Sequence, residues 1–172
     1  MARISAFRRA FTVLEVSVVI GIIAIIAIPV SALIINYSRA YINEGNIIKE
    51  QYYLNATMQD IEQRLRRAND GSVSTGSNTL SFSYSDSNKD GGNTGNTISI
   101  TYNLVNAGTS SALMQRTING VTEVFPTGLE PGIIRGFTAS LSGSAPYYVT
   151  ISLDSLSNIV LEKQIYLVNY SR

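Results

Sequence analysis

The chain has 172 residues, with 13 basic and 12 acidic side chains, and it contains neither histidine nor cysteine. These absences remove the commonest general base, the thiol nucleophile and the usual zinc ligands, so we expect no enzyme activity. The nearly balanced charge lacks the excess of basic residues that is typical of proteins that bind nucleic acid, and we expect no nucleic acid among its partners.

The N-terminal region consists of a short basic leader followed by a long apolar run. The leader, MARISAFRRA, carries Arg3, Arg8 and Arg9 and no acid. Residues 16–35 carry no charge, and a helix rising about 1.5 Å per residue spans about 30 Å over that length, the thickness of a bilayer's hydrocarbon core. Because basic flanks stay in the cytoplasm, we expect a single membrane span with a cytoplasmic N-terminus and an exported remainder.

Glu15 is the one charge inside the apolar run. A carboxylate in that position costs about 2.5–3.5 kcal/mol on insertion scales, so it usually has a partner or a function. Cleavage between Ala10 and Phe11 would free an amino group, mostly charged at neutral pH, one helical turn from Glu15. That amine can pair with Glu15 of its own chain or of a neighbouring chain, and the second arrangement builds a polymer. Thr12 and Glu15 also fit a capping box, which is compatible with the assembly role.

The start of the apolar run resembles the N-terminal signature of bacterial type IV pilin-like proteins, on the residues Phe11, Thr12, Leu14 and Glu15. The resemblance implies that a prepilin peptidase cuts between Ala10 and Phe11 and that the new Phe11 amine is N-methylated. It also implies that the helix packs in a filament core, with Glu15 as the assembly residue.

Two residues depart from the family pattern. Ala10 stands where the family most often has glycine, and Pro29 lies about one turn earlier than in many pilins. Pro29 cannot donate a hydrogen bond to the Ile25 carbonyl, so we expect a kink or local melting there.

A secretory signal peptide is the alternative interpretation of this region. Val30, Ser31 and Ala32 supply small residues for ordinary signal-peptidase cleavage after Ala32, which would release a soluble, secreted, β-rich binding domain. An acid within the apolar run fits poorly with such a peptide and favours the pilin-like interpretation.

Helical periodicity continues after the apolar run. Apolar residues recur at two heptad positions, namely Ile47, Leu54, Ile61 and Ala68, and Met58 and Leu65. We expect this stripe to pack on the protein's own sheet and the opposite face to be solvated. That opposite face carries Lys49, Glu50, Asp60, Glu62, Arg66 and Arg67. The stop signal at residues 69–71 predicts a helix over residues 11–69, with weak points at Pro29 and residues 43–46.

The period becomes alternating after Gly71. Apolar alternation recurs at Leu80, Phe82 and Tyr84, at Ile98, Ile100, Tyr102 and Leu104, and at Tyr147, Val149, Ile151 and Leu153. Asn119 and Gly120 predict a two-residue hairpin turn, and residues 159–168 predict a final strand.

These patterns predict an α+β, pilin-like fold. A leader over residues 1–10 is removed. A transmembrane and filament-core helix over residues 11–38 continues as an amphipathic helix over residues 39–70. That second half packs on an antiparallel β-rich globular head over residues 71–172.

One loop has part of a calcium-binding pattern. Asp86, Asn88, Asp90 and Gly91 match the first half of a D-x-N-x-D-G loop, but Thr97 stands where a bidentate glutamate is needed. The same segment is good turn chemistry for a plain hairpin. Calcium at Asp86, Asn88 and Asp90 and a loop without metal both remain open, and we expect no other cofactor.

The strand patterns of the head are similar to those of J-type minor pseudopilins of type II secretion and related minor pilins. The segments that carry this likeness are QRLRRA, NTLSFSY, ISITYNLV, LMQR and IYLVNYS. Glu15 argues against a K-type tip subunit, which typically lacks an acid there.

The resemblance implies a minor subunit that helps to start filament assembly from the bacterial inner membrane, with an extracytoplasmic head. The implied partners are a prepilin peptidase, other pilins or pseudopilins, and an inner-membrane assembly platform with its ATPase. A major pilin is the further alternative.

Overall fold

The computed structural model describes residues 12–69, 71–86 and 96–167, and these form one long helix and eight strands. The elements are α1 (Val13–Leu65), β1 (Ser74–Gly76), β2 (Thr79–Asp86), β3 (Asn96–Val105), β4 (Leu113–Ile118), β5 (Val121–Val124), β6 (Ile134–Leu141), β7 (Tyr148–Ser155) and β8 (Val160–Tyr166). The predicted α+β class, with one long apolar N-terminal helix and antiparallel sheets, is confirmed.

The chain divides into two compact units between Gly45 and Asn46. The first unit contains α1 up to Gly45. The second contains the rest of α1 and the strands of the described segments.

Helix α1 is continuous but shorter than predicted. It is helical at Pro29 and at residues 43–46, so the loss of one donor at Pro29 does not melt the neighbouring turns. It ends at Leu65 rather than at Asn69. The chain tightens there, with Ala68 N donating to the Leu65 carbonyl, and Asn69 N then donates to the Ser83 carbonyl at 2.7 Å. Asn69 is therefore bonded to β2 and is not part of the helix.

The core of the second unit lies between α1 and the sheets. The predicted stripe supplies its helical side, with Leu54, Met58, Ile61, Leu65 and Ala68 all buried. Ile47 is the exception, because 39 % of it is exposed.

The strands form two antiparallel sheets. One has the order β1-β2-β3-β4-β5 and the other β6-β7-β8, and an isolated bridge pairs Ser77 with Thr138 of β6. Leu80, Ile100, Tyr102 and Ile151 are among the strand residues that face the core. Alternate residues of each strand point to one face, which is why the alternating pattern identified these core positions.

The predicted hairpin turn at Asn119 and Gly120 is confirmed. It joins β4 to β5, and the two residues have φ angles of 49° and 86°. Two consecutive positive φ angles match the right-handed twist of a tight hairpin, and asparagine followed by glycine is the pair that adopts them most easily. The final strand, predicted over residues 159–168, is β8, and Val168 lies outside the described residues.

Candidate membrane and assembly segment

The first turn of α1 is closed by a capping box between Thr12 and Glu15. The Glu15 Oε2 atom accepts hydrogen bonds from Thr12 N at 2.9 Å and from Thr12 Oγ1 at 3.1 Å. In return, Glu15 N donates to Thr12 Oγ1 at 3.3 Å. Thr12 is therefore the N-cap and Glu15 the third helical residue, which satisfies amides that a helix start otherwise leaves unpaired. The carboxylate also lies at the positive end of the helix dipole.

The apolar stretch that follows Glu15 is uncovered. Within the described residues, α1 is the one helix long and apolar enough to cross a membrane, and none of its most apolar stretch is buried. The core helix of a soluble protein would hide such a stretch, whereas Ile25 and Ile28 are each more than 70 % exposed. A secretory signal near the N-terminus meets the same criteria of length and composition. The helix is thus compatible with a single-pass membrane anchor.

Ser17, in the apolar stretch, and Ser38, just beyond it, bond to the helix itself. Ser17 Oγ donates to the Val13 carbonyl at 2.9 Å, and Ser38 Oγ donates to the Ile34 carbonyl at 2.8 Å. Such bonds let a hydroxyl enter an apolar environment without an outside partner. Neither serine therefore opposes insertion into lipid.

The predicted processing residues, Ala10 and Phe11, lie outside the described residues. So do Asn88 and Asp90 of the calcium pattern, whereas Asp86 is the last residue of β2, paired in register with Asn96. Among the residues that the structure describes, no group of three metal-binding acid, histidine or cysteine side chains comes together. Calcium binding by Asp86, Asn88 and Asp90 stays a prediction.

The expectation of a solvated charged face on the second half of α1 is wrong at Glu50. Only 4 % of this residue is exposed. Its Oε2 atom accepts a hydrogen bond from Ser157 N at 3.1 Å, and its Oε1 atom accepts one from Ser157 Oγ at 2.9 Å. Glu50 therefore holds the turn between β7 and β8 against the helix. No local sequence pattern predicts this contact.

Asp60 is the second exception, because it lies at the centre of a polar network. Its Oδ2 atom accepts hydrogen bonds from Tyr102 Oη at 2.5 Å and from Arg116 Nη1 at 2.8 Å, and its Oδ1 atom accepts one from Arg64 Nε at 2.9 Å. Burial alone would raise the pKa of Asp60, but hydrogen bonds from Tyr102, Arg64 and Arg116 outweigh it and leave the pKa below its ordinary value. Burial, and then the bond to Asp60, raise the pKa of the Tyr102 phenol. Arg116 also pairs with Glu123, so the network joins α1 to β3, β4 and β5.

Glu62 is also less solvated than the sequence predicts, because only 19 % of its side chain is exposed. It accepts hydrogen bonds from Lys163 on β8 and from Arg66, the residue that follows the end of α1. These bonds, the one from Lys163 first, lower the pKa of Glu62. Both cations are more than 40 % exposed, so solvent weakens the pair.

The acids on α1 therefore differ in the exposure of their surroundings. Glu50 is buried and Asp60 pairs with the largely buried Arg116, whereas both cations that pair with Glu62 are exposed. None of these contacts forms a catalytic arrangement of nucleophile, base and orienting group among the described residues. Comparison with protein-family models, with curated proteins and with solved structures gives no match for this chain. The exposed apolar stretch and its carboxylate are the features that support a functional proposal.

Proposed function

We propose that the chain is a minor pilin or pseudopilin, a structural and assembly-priming subunit of a type IV filament system. In this proposal a prepilin peptidase cuts between Ala10 and Phe11. Before assembly, the mature chain resides in the bacterial inner membrane with its head outside the cytoplasm. The observation that carries the proposal is the start of α1, where Thr12 holds the Glu15 carboxylate at the head of an uncovered apolar stretch.

The exposed apolar side chains of α1 require a non-aqueous environment that covers them. Monomeric soluble proteins rarely expose apolar patches larger than a few hundred Å², because water disfavours them. The exposed side chains here include Ile20, Ile23, Ile25, Ile28 and Leu33. Lipid covers them before assembly, and the helices of neighbouring subunits cover them in a filament.

In this proposal Glu15 specifies which group of a neighbouring chain lies beside it when the helices pack together. Moving a carboxylate into a bundle of apolar helices is costly unless a cation meets it there. The capping box positions the carboxylate at the helix start, and the amino group of a neighbour's processed Phe11 is the cation that the proposal supplies. The remaining partners are other pilins or pseudopilins and an inner-membrane platform with its ATPase.

Two substitutions separate the charge of Glu15 from its capping role. Glu15→Gln keeps an oxygen that can accept the bonds from Thr12 and removes the charge. Thr12→Val removes the hydroxyl and keeps the charge. We expect both variants to insert in the membrane, Glu15→Gln to be lost from sheared filaments, and Thr12→Val to remain in them. Normal incorporation of Glu15→Gln would contradict the intersubunit charge pair.

A secreted β-rich binding domain is the second candidate, favoured by the compactness of residues 46–172. A chain cut after Ala32 would begin at Leu33 and would keep that unit whole. This candidate predicts that the protein is free outside the membrane and that neither Glu15→Gln nor Thr12→Val associates with filaments.

A further inference from the structure

We propose that Tyr37 and Tyr41 anchor α1 in the lipid headgroup layer at the C-terminal end of its apolar stretch and so fix the depth of the helix in the bilayer. The inference rests on the proposed function, because it requires a helix that enters a membrane. It adds the register of that helix and the residues that set it.

The chemistry of the helix surface changes at Tyr37. A groove of about 440 Å³ on the N-terminal side is lined by Leu33, Ile34, Tyr37 and Ser38. A smaller groove of about 90 Å³ on the C-terminal side is lined by Tyr37, Ala40, Tyr41 and Glu44. Tyr37 borders both, so its ring lies between a mostly apolar lining and one that includes the Glu44 carboxylate.

Tyr37 and Tyr41 suit a headgroup environment in type and position. They are one helical turn apart, so they lie on one face, and 79 % and 74 % of them are exposed. A phenol combines an apolar ring with a polar tip, which is why tyrosine is enriched where a membrane meets water. Arg39 lies between them in sequence, and its long side chain can extend toward phosphate groups.

The length of the stretch agrees with this register. Tyr37 lies about 22 positions after Glu15, which corresponds to about 33 Å of helix, against about 30 Å of hydrocarbon. With Tyr37 in one headgroup layer, Glu15 and its Thr12 cap lie in the other. A shift of one helical turn would pull either Glu15 or Arg39 into the hydrocarbon, so this register is the favourable one.

The chain contains no tryptophan, so one introduced tryptophan reports its own depth without background. The test uses the full chain in vesicles of phosphatidylethanolamine and phosphatidylglycerol. The acyl chains carry bromine, a quencher, either close to the headgroup or close to the chain end. The variants are Tyr37→Trp and Tyr41→Trp, with Ile26→Trp as the mid-span control and Tyr52→Trp, from the unit that holds the strands, as the aqueous control.

The proposal predicts three different responses. Tyr37→Trp and Tyr41→Trp are quenched more strongly by the shallow bromine than by the deep one, Ile26→Trp shows the reverse order, and Tyr52→Trp responds to neither. If Tyr37→Trp and Tyr41→Trp follow Ile26→Trp, or escape quenching while Ile26→Trp is quenched, the anchor is refuted and the membrane span stands. If Ile26→Trp also escapes quenching, the helix does not enter the bilayer, and the proposed function fails together with the anchor.

A second measurement tests whether the tyrosines set the depth or merely lie there. A Leu33→Trp probe is measured alone, with Tyr37→Ala and Tyr41→Ala together, and with Tyr52→Ala as the matched control. We expect the ratio of shallow to deep quenching at the probe to shift when Tyr37 and Tyr41 are both replaced, and to stay constant with Tyr52→Ala. An unchanged ratio in the double variant would overturn the anchoring role.

Discussion

Asp60 and Glu62 offer a direct test of how burial of the partner cation changes the value of an ion pair. Each accepts hydrogen bonds from two cations, one four residues further along the chain and one on a strand: Arg64 and Arg116 for Asp60, and Arg66 and Lys163 for Glu62. The two carboxylate side chains are about equally covered, at 17 % exposed for Asp60 and 19 % for Glu62, but their strand cations differ, at 13 % for Arg116 and 44 % for Lys163. The isosteric changes Asp60→Asn and Glu62→Gln remove one charge each with little effect on helix propensity.

The expected magnitudes differ clearly. Breaking one partner of a fully buried charge pair costs about 3–5 kcal/mol, and an exposed pair is worth about 0–1 kcal/mol. Asp60 retains some solvent contact, and its asparagine can still accept one of the bonds from Tyr102 and Arg116, so we expect Asp60→Asn to lower the free energy of unfolding by about 2–4 kcal/mol. For Glu62→Gln we expect a loss of less than about 1 kcal/mol.

Urea unfolding of the full chain in detergent micelles, followed by the near-ultraviolet dichroism of its tyrosines, measures both values. Equal losses in the two variants, within about 0.5 kcal/mol, would refute the reasoning, because burial of the partner cation would then not determine the contribution of the ion pair.

Three further predictions use the same unfolding measurement. The depressed pKa of Asp60 implies stability that is present above its unfolded pKa of about 3.9 and lost as the pH falls through the folded value. The wild type should therefore lose stability on acidification, and Asp60→Asn should lose less. Parallel pH profiles of the two proteins would contradict this. Glu50→Ala should cost about 2–3 kcal/mol, because Ser157 N and Oγ both lose their buried acceptor, and a cost below about 0.5 kcal/mol would mean that water replaces the carboxylate. Gly120→Ala should cost about 1–2 kcal/mol, because φ is 86° there and an L side chain is strained in that region, whereas no loss would indicate that the turn changes type.

Features of the fold that depend on nearby residues could be predicted from the sequence. The stripe of Leu54, Met58, Ile61 and Leu65 follows from helical periodicity, and it is buried as predicted. The turn at Asn119 and Gly120 follows from two residues alone. The Thr12–Glu15 capping box is equally local, since its members are three residues apart.

Features that depend on distant partners could not be predicted. Glu50 reaches Ser157 across 107 positions, Asp60 reaches Arg116 across 56 and Glu62 reaches Lys163 across 101, and nothing in the helix sequence indicates these contacts. These contacts depend on which strands pack beside α1, and the alternating pattern within a strand does not specify that packing. The helix ends at Leu65 instead of at the predicted Asn69 for the same reason, because Asn69 bonds to β2.

The mature N-terminus, determined by mass spectrometry on protein from the native membrane fraction, tests the central claim most directly. The filament-subunit account predicts a chain that begins with N-methylated Phe11 and retains the whole of α1. A chain that begins at Leu33 would contradict it, because the membrane segment and Glu15 would then be absent from the mature protein.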